Sequence, residues 1–257
     1  MSFAARSVER LIDRLGINKV EDLYKLKLIA LEIGIDIVEG TLNSCEALLM
    51  YKNGKPYVIV NKGSCPQRKR FSIAHEIGHF ILHNDGAATV CSSDFIESWE
   101  TCSIPENELE ANEFAANLIL PERFFKKDSD FDPDFSELLR LCDKYQTSVT
   151  ATSRRYIDYF SAPAAVVMST SGVIRWFVPN KFFQDEKLFV DVRAKVAFDT
   201  QANSLFLGLN TSNKPKLVDQ ELWLKNQEKL NGDFLELSFL MRNFDSVISI
   251  LWVDEYC

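Results

Sequence analysis

Phe71-Ser72-Ile73-Ala74-His75-Glu76-Ile77-Gly78-His79-Phe80-Ile81-Leu82-His83 sets two histidines four residues apart, with a glutamate beside the first. Residues at that spacing share one face of an α-helix, so His75 and His79 reach toward one point. Neutral imidazole is a good zinc ligand, and a catalytic zinc takes three protein ligands and a water. Glu76 stands where a carboxylate can take a proton from that water and later return it to a leaving amine. The surroundings predict a helix from Arg70 to His83. Phe71, Ala74, Gly78 and Leu82, with Ile73, Ile77 and Ile81, recur at helical spacing, and Asn84-Asp85-Gly86 is a stop signal. Gly78 inside this helix costs about 1 kcal/mol relative to alanine, which implies that another backbone packs closely there. All three histidines of the chain fall on this one helix. His83 lies too far along it, roughly 12 Å from His75 at 1.5 Å per residue, to share an ion with His75. It is read as a supporting or packing residue.

The third ligand has to come from another element. The segment from Glu106 to Pro121 reads as a helix opened near Pro105, with acidic residues in its first turn. Glu106, Glu110, Glu113 and Asn117 share a polar face, which reads as solvated. Glu108 falls instead with Asn112, Ala115 and Ile119, among small and apolar groups where a carboxylate needs a partner. Glu108 is therefore the expected metal ligand, with Glu110 as the alternative. Asn112, one turn on, is placed to hold a ligand by a hydrogen bond.

These two helices carry a resemblance. The chain resembles the ImmA/IrrE family of zinc metallopeptidases, whose signatures run R-x-R-F-[ST]-x-A-H-E-[IL]-G-H-x-x-L-H and E-x-E-A-N-x-F-A-x-x-L-L-M-P. They stand here as Arg68 to His83 and Glu108 to Pro121. Ile119-Leu120-Pro121 replaces the usual Leu-Met-Pro, a hydrophobic exchange. The spacing of Glu108 and Asn112 is also similar to the third-ligand helix of thermolysin-like enzymes. The resemblance implies that His75, His79 and Glu108 hold Zn²⁺ and that Glu76 is the general base. It implies a cytoplasmic protease whose partner and substrate is a repressor-like regulatory protein.

Composition bounds the remaining classes. The 257 residues carry a net charge of −8, which does not favour general binding to nucleic acid or anionic membranes. No apolar run approaches the ~20 residues of a membrane span. The first sixteen residues read as an amphipathic helix ending at Gly16 rather than an export signal. Six scattered cysteines (Cys45, Cys65, Cys91, Cys102, Cys142 and Cys257) form no C-x-x-C pair and read as reduced thiols.

The expected fold class is α+β. A zincin-like metallopeptidase domain (1–125) precedes a helical, helix-turn-helix-like segment (126–160) and a β-rich C-terminal domain (161–257) with a possible sensory or partner-binding role. Two helices fill 4–34, Ile35–Val38 is a strand, and Glu46–Tyr51 and Pro56–Val60 form a hairpin about Asn53-Gly54. That hairpin is a candidate edge for seating an extended substrate, and Tyr57 on it is a candidate oxyanion donor. Residues 84–105 read as a polar connection bordering the cleft, and Pro121 to Pro133 as a break. Helices follow at 135–145 and 151–160. Only Arg154 and Arg155 are basic on the second of these, so DNA binding is not expected. Beyond lie strand pairs at 164–168 and 173–178 and at 234–241 and 247–253, with a helix expected between Phe182 and Phe198. Trp176, Trp223 and Trp252 read as core or interface aromatics. The competing functional class is a regulator that binds protein or DNA through 135–160 or the C-terminal domain without cleaving anything.

Overall fold

The structure, a computed structural model, describes residues 1–43, 45–83, 89–92, 105–129, 134–209, 212–225, 230–241 and 244–254. Cys102, the Asn84-Asp85-Gly86 stop and most of the 84–105 connection lie outside them. The chain is mixed α+β and divides into two compact units. One holds Met1–Lys127 with Lys144–Thr147; the other holds Asp128–Asp143 with Ser148–Cys257. The segment read as a separate helical piece, 126–160, is thus shared between them, most of it going with the β-rich half.

In the first unit, α1 (Phe3–Arg14) is capped by Ser2, whose side chain accepts from the backbone N–H of Ala5. A 3-10 turn at Val20–Tyr24 leads into the short α2 (Leu26–Glu32). Four strands follow: β1 (Asp36–Gly40), β2 (Cys45–Lys52), β3 (Lys55–Asn61) and β4 (Thr89–Ser92), ordered β1-β3-β2-β4 in one sheet. β2 and β3 form the expected hairpin, and Asn53 and Gly54 both take positive φ (54° and 76°) at its turn. The hairpin does not supply the free edge expected of it. β3 is flanked by β1 and β2, and β2 by β3 and β4, so among the described residues the sheet ends at β1 and β4. The metal-motif helix, α3 (Pro66–Leu82), starts earlier than the apolar pattern suggests, because Pro66 takes its first turn where no N–H partner is needed. It packs on β2, on β3 and on α4 (Glu106–Ile119). Ile73, Ile77, Phe114, Leu118, Leu49 and Val58 are buried in this unit.

The stretch read as a break contains α5 (Glu122–Asp128). Pro121 sits just before its first turn, a position proline favours, and Phe125 is fully buried against Tyr145. Proline here starts a helix instead of interrupting one.

The second unit is built on a five-stranded sheet of β5 (Ala164–Thr170), β6 (Val173–Pro179), β7 (Lys216–Leu217), β8 (Asp233–Met241) and β9 (Ser246–Asp254), ordered β6-β5-β9-β8-β7 with every pair antiparallel. Helices cover both faces. α6 (Phe135–Tyr145) stacks Phe135 on Phe239 at 4.0 Å between ring centres. α7 (Val149–Ile157), capped by Ser148, packs on β5 and β9. On its surface Arg155 pairs with Asp158. The expected helix in 182–198 is confined to α8 (Lys181–Asp185). A further helix unread in the sequence, α9 (Gln201–Phe206), lies on β8 and β9. Trp223 and Trp252 are buried and Trp176 is half-buried.

Strand alternation puts Phe234, Glu236 and Ser238 on one face of β8 and Leu235, Leu237 and Phe239 on the other. The face carrying Glu236 is buried because α9 and Trp223 lie over it. The Glu236 carboxylate accepts the N–H groups of Gln201 (3.0 Å) and Ala202 (2.7 Å), the Trp223 indole N–H (3.2 Å) and the Ser238 hydroxyl (2.6 Å). Four donors offset the desolvation of the charge and anchor the helix start through its unbonded N–H groups. Glu236→Ala is expected to destabilise this unit by about 3 kcal/mol, with Glu236→Gln costing less. Urea unfolding followed by the fluorescence of Trp223 checks both.

Candidate metal centre

The centre is made where α3 crosses α4. At Gly78 an added Cβ would stand 3.1 Å from the Phe114 Cβ and 3.2 Å from the Ala111 carbonyl oxygen. The approach that the glycine implied in the sequence is therefore made by the backbone of α4. It lets the first turns of α4 lie across the histidine face of α3. Arg70, from the same signature, is buried nearer the start of α3. It donates to the Leu23 carbonyl at 2.8 Å, and its guanidinium lies 5.9 Å from the centre of the Tyr24 ring. Burial lowers its pKa to about 10.

His75, His79 and Glu108 come together, all buried, with one potential ligand atom from each lying within 4.8 Å of the others. The two Nε2 atoms are 3.0 Å apart. The Glu108 Oε2 is 3.2 Å from the His75 Nε2, and its Oε1 is 3.3 Å from the His79 Nε2. Burial pushes the Glu108 carboxyl upward, but hydrogen bonds with His75 and His79 outweigh it and bring the group down to about 2. Burial lowers the pKa of His75, against the opposing hydrogen bond to Glu108. An ionised carboxylate converging with a neutral imidazole is the donor chemistry a divalent cation takes up. Two nitrogens and one carboxylate fit zinc better than magnesium or calcium, which prefer all-oxygen sites.

Asn112 stands close enough to His75 for its side chain to favour the protonated ring, as its place one turn beyond Glu108 suggests. Glu76 is fully buried on α3, next in sequence to His75. Tyr57, considered as an oxyanion donor, points its hydroxyl at the Met50 sulphur across the hairpin, 3.5 Å away. Glu110 is not at the cluster. It lies against His83, with Oε2 2.7 Å from the His83 Nε2. His83 has left the regular helix: its N–H bonds the His79 carbonyl as the cap, at φ −128° and ψ 32°. Helical projection assigned Glu110 to solvent and gave no sign of this contact, since the two residues come from different helices and only their crossing brings them together.

Comparison with known proteins agrees with this geometry. The family described as the IrrE N-terminal-like domain, a peptidase family, matches residues 30–156, which include both helices of the site. Immunity region protein 2 of Bacillus phage phi105 is 30% identical over 118 residues, covering 45% of this chain and 67% of that protein. A Mycobacterium tuberculosis transcriptional regulator of known structure superposes with a TM-score of 0.61 at 12% identity, over 99% of this chain and 77% of its own. At that identity the likeness is one of fold alone.

The close crossing at Gly78 is open to direct test. Gly78→Val puts branched carbon against the Ala111 carbonyl and Phe114, which cannot both withdraw. The expected result is a loss of about 1–3 kcal/mol from overpacking, read as a lower melting temperature, together with weaker metal binding by titration as α4 and Glu108 are displaced.

Proposed function

This chain belongs to the IrrE N-terminal-like family, and we propose that it is a cytoplasmic zinc-dependent endopeptidase that cleaves a repressor-like or antitoxin-like regulatory protein. The observation that carries the reading is the burial of Glu76 next to the three converging donors His75, His79 and Glu108. Glu76 lies on the same buried turn of α3 as His75. A role as proton acceptor at the adjoining site accounts for that place.

In this reading His75, His79 and Glu108 hold Zn²⁺, and Glu76 is the general base. The metal, when bound, acidifies a water and polarises the scissile carbonyl. Glu76 takes the water's proton as the oxygen attacks the carbonyl carbon, and delivers it to the departing amine nitrogen as the C–N bond breaks. With the metal bound, the cation itself would keep the Glu108 carboxyl ionised, and Asn112 stands at the ring of His75. Among the described residues the backbone of β4 ends the sheet on one side, and an extended substrate segment pairing with that edge would be held by main-chain hydrogen bonds. That assigns to β4 the substrate role first attached to the hairpin. Among the described residues no helix is long and apolar enough to cross a membrane.

The test separates cleavage from mere binding. Wild type and Glu76→Gln are compared in host lysate by mapping new protein N-termini, with bound zinc measured in both. The expectation is one zinc per chain in each, new termini from a regulatory protein with wild type, and cleavage lower by about 10²–10⁴-fold with Glu76→Gln. His79→Ala is expected to lose the zinc. Equal termini from wild type and Glu76→Gln, with zinc in both, would remove the general-base assignment. No new termini from either, with inducing signals supplied, would favour a regulator that acts by binding.

A further inference from the structure

We propose that His83 and Glu110 form a hydrogen-bonded relay that fixes the ring of His79 for metal binding, so that both are positioning residues of the centre. The inference rests on the metal site proposed above and adds two residues that the mechanism does not use. Three contacts carry it. The His79 Nε2 faces His75 and Glu108 at 3.0 and 3.3 Å. The other ring nitrogen, Nδ1, lies 3.3 Å from the His83 Nδ1. The His83 Nε2 lies 2.7 Å from the Glu110 Oε2.

One assignment of protons satisfies all three. A metal ligand presents a lone pair at Nε2, so the His79 proton must sit on Nδ1. From there it is donated to the His83 Nδ1, which must then be bare. The His83 proton is left on Nε2, where the Glu110 carboxylate accepts it. Glu110 thus selects the tautomer of His83, and His83 selects the tautomer of His79 that leaves Nε2 open toward Glu108.

Position distinguishes this from an incidental surface pair. The His83 and Glu110 side chains retain 21% and 37% of their exposure, and an isolated pair at such a place contributes little to stability. A pair of that kind has no reason to turn the second nitrogen of its histidine toward a buried ring. His83 stands four residues after His79, the spacing at which side chains meet on a helix face, and its N–H still bonds the His79 carbonyl. α4 consequently serves the centre three times: Glu108 as a donor, Asn112 on the ring of His75, and Glu110 through His83 on the ring of His79.

The experiment measures zinc affinity by competition with a chromophoric chelator, and the visible absorption of the Co²⁺-substituted protein. His83→Ala is expected to weaken zinc binding about 10–100-fold, the usual cost of losing a partner that orients a ligand, and to shift the Co²⁺ bands. His83→Gln should recover much of the loss, because its amide oxygen accepts from the His79 Nδ1–H. Glu110→Gln should weaken binding on its own yet add nothing in the His83→Ala background, since it acts only through His83. A merely structural role would not give that non-additivity. Glu110→Gln, a one-atom change on a partly exposed side chain, carries the test should His83→Ala fail to fold. Wild-type affinity and spectrum in the single variants, or an undiminished Glu110→Gln effect in the His83→Ala background, would overturn the relay alone. Wild-type protein that takes up no zinc would overturn the metal centre itself.

Discussion

The close crossing of α3 and α4 at Gly78 is the constraint on which the rest of the first unit depends. Two histidines on one helix cannot enclose a cation; they need a third donor from another element, at ångström accuracy and out of water. The missing side chain at Gly78 lets the Ala111 carbonyl and Phe114 come to within 3.2 Å of where a Cβ would stand. Glu108, one turn before Ala111 and on the buried side of α4, is thereby delivered between the two imidazoles. The helix-propensity cost of glycine is a local loss that secures a tertiary contact.

The surroundings of the cluster follow from that crossing. Burial that would make a lone carboxylate or a lone imidazolium expensive is tolerable here because the groups partner one another. The same helix that brings Glu108 inward brings Asn112 to His75 and Glu110 to His83. Ligand orientation is thus written into neighbouring turns of one helix, and anything that shifts α4 alters all three contacts at once. The sheet beneath α3 supplies rigidity through the central β2–β3 hairpin and leaves its open edges to β1 and β4.

The second unit solves a similar problem with different chemistry. Glu236 is buried on β8 among two backbone N–H groups, an indole and a hydroxyl, so its charge is met entirely by dipoles. The short α9 gains in return an anchored start that six residues would not achieve alone. Here a polar group organises packing, whereas around α3 packing organises polar groups.

By itself the sequence determined the parts whose physics is local. The spacing of His75 and His79, the placement of Glu108 away from the polar face of its helix and the Asn53-Gly54 turn each follow from helical period or turn conformation, and each stands in the structure; the last strand, read as alternating, is instead buried on both faces between β5 and β8. Only the tertiary structure decided what depends on which surfaces meet. The sheet order that seals the hairpin arises from β1 and β4 pairing across long sequence separations. The helix after Pro121 forms because Phe125 finds Tyr145. Glu236 is buried because α9 covers its face of β8. His83 reads as a supporting or packing residue, and only the packing of α4 on α3 shows that Glu110 is its partner. In each case the deciding energy is burial or a hydrogen bond between residues distant in the chain, or beyond the reach of a regular period, and no local pattern encodes it.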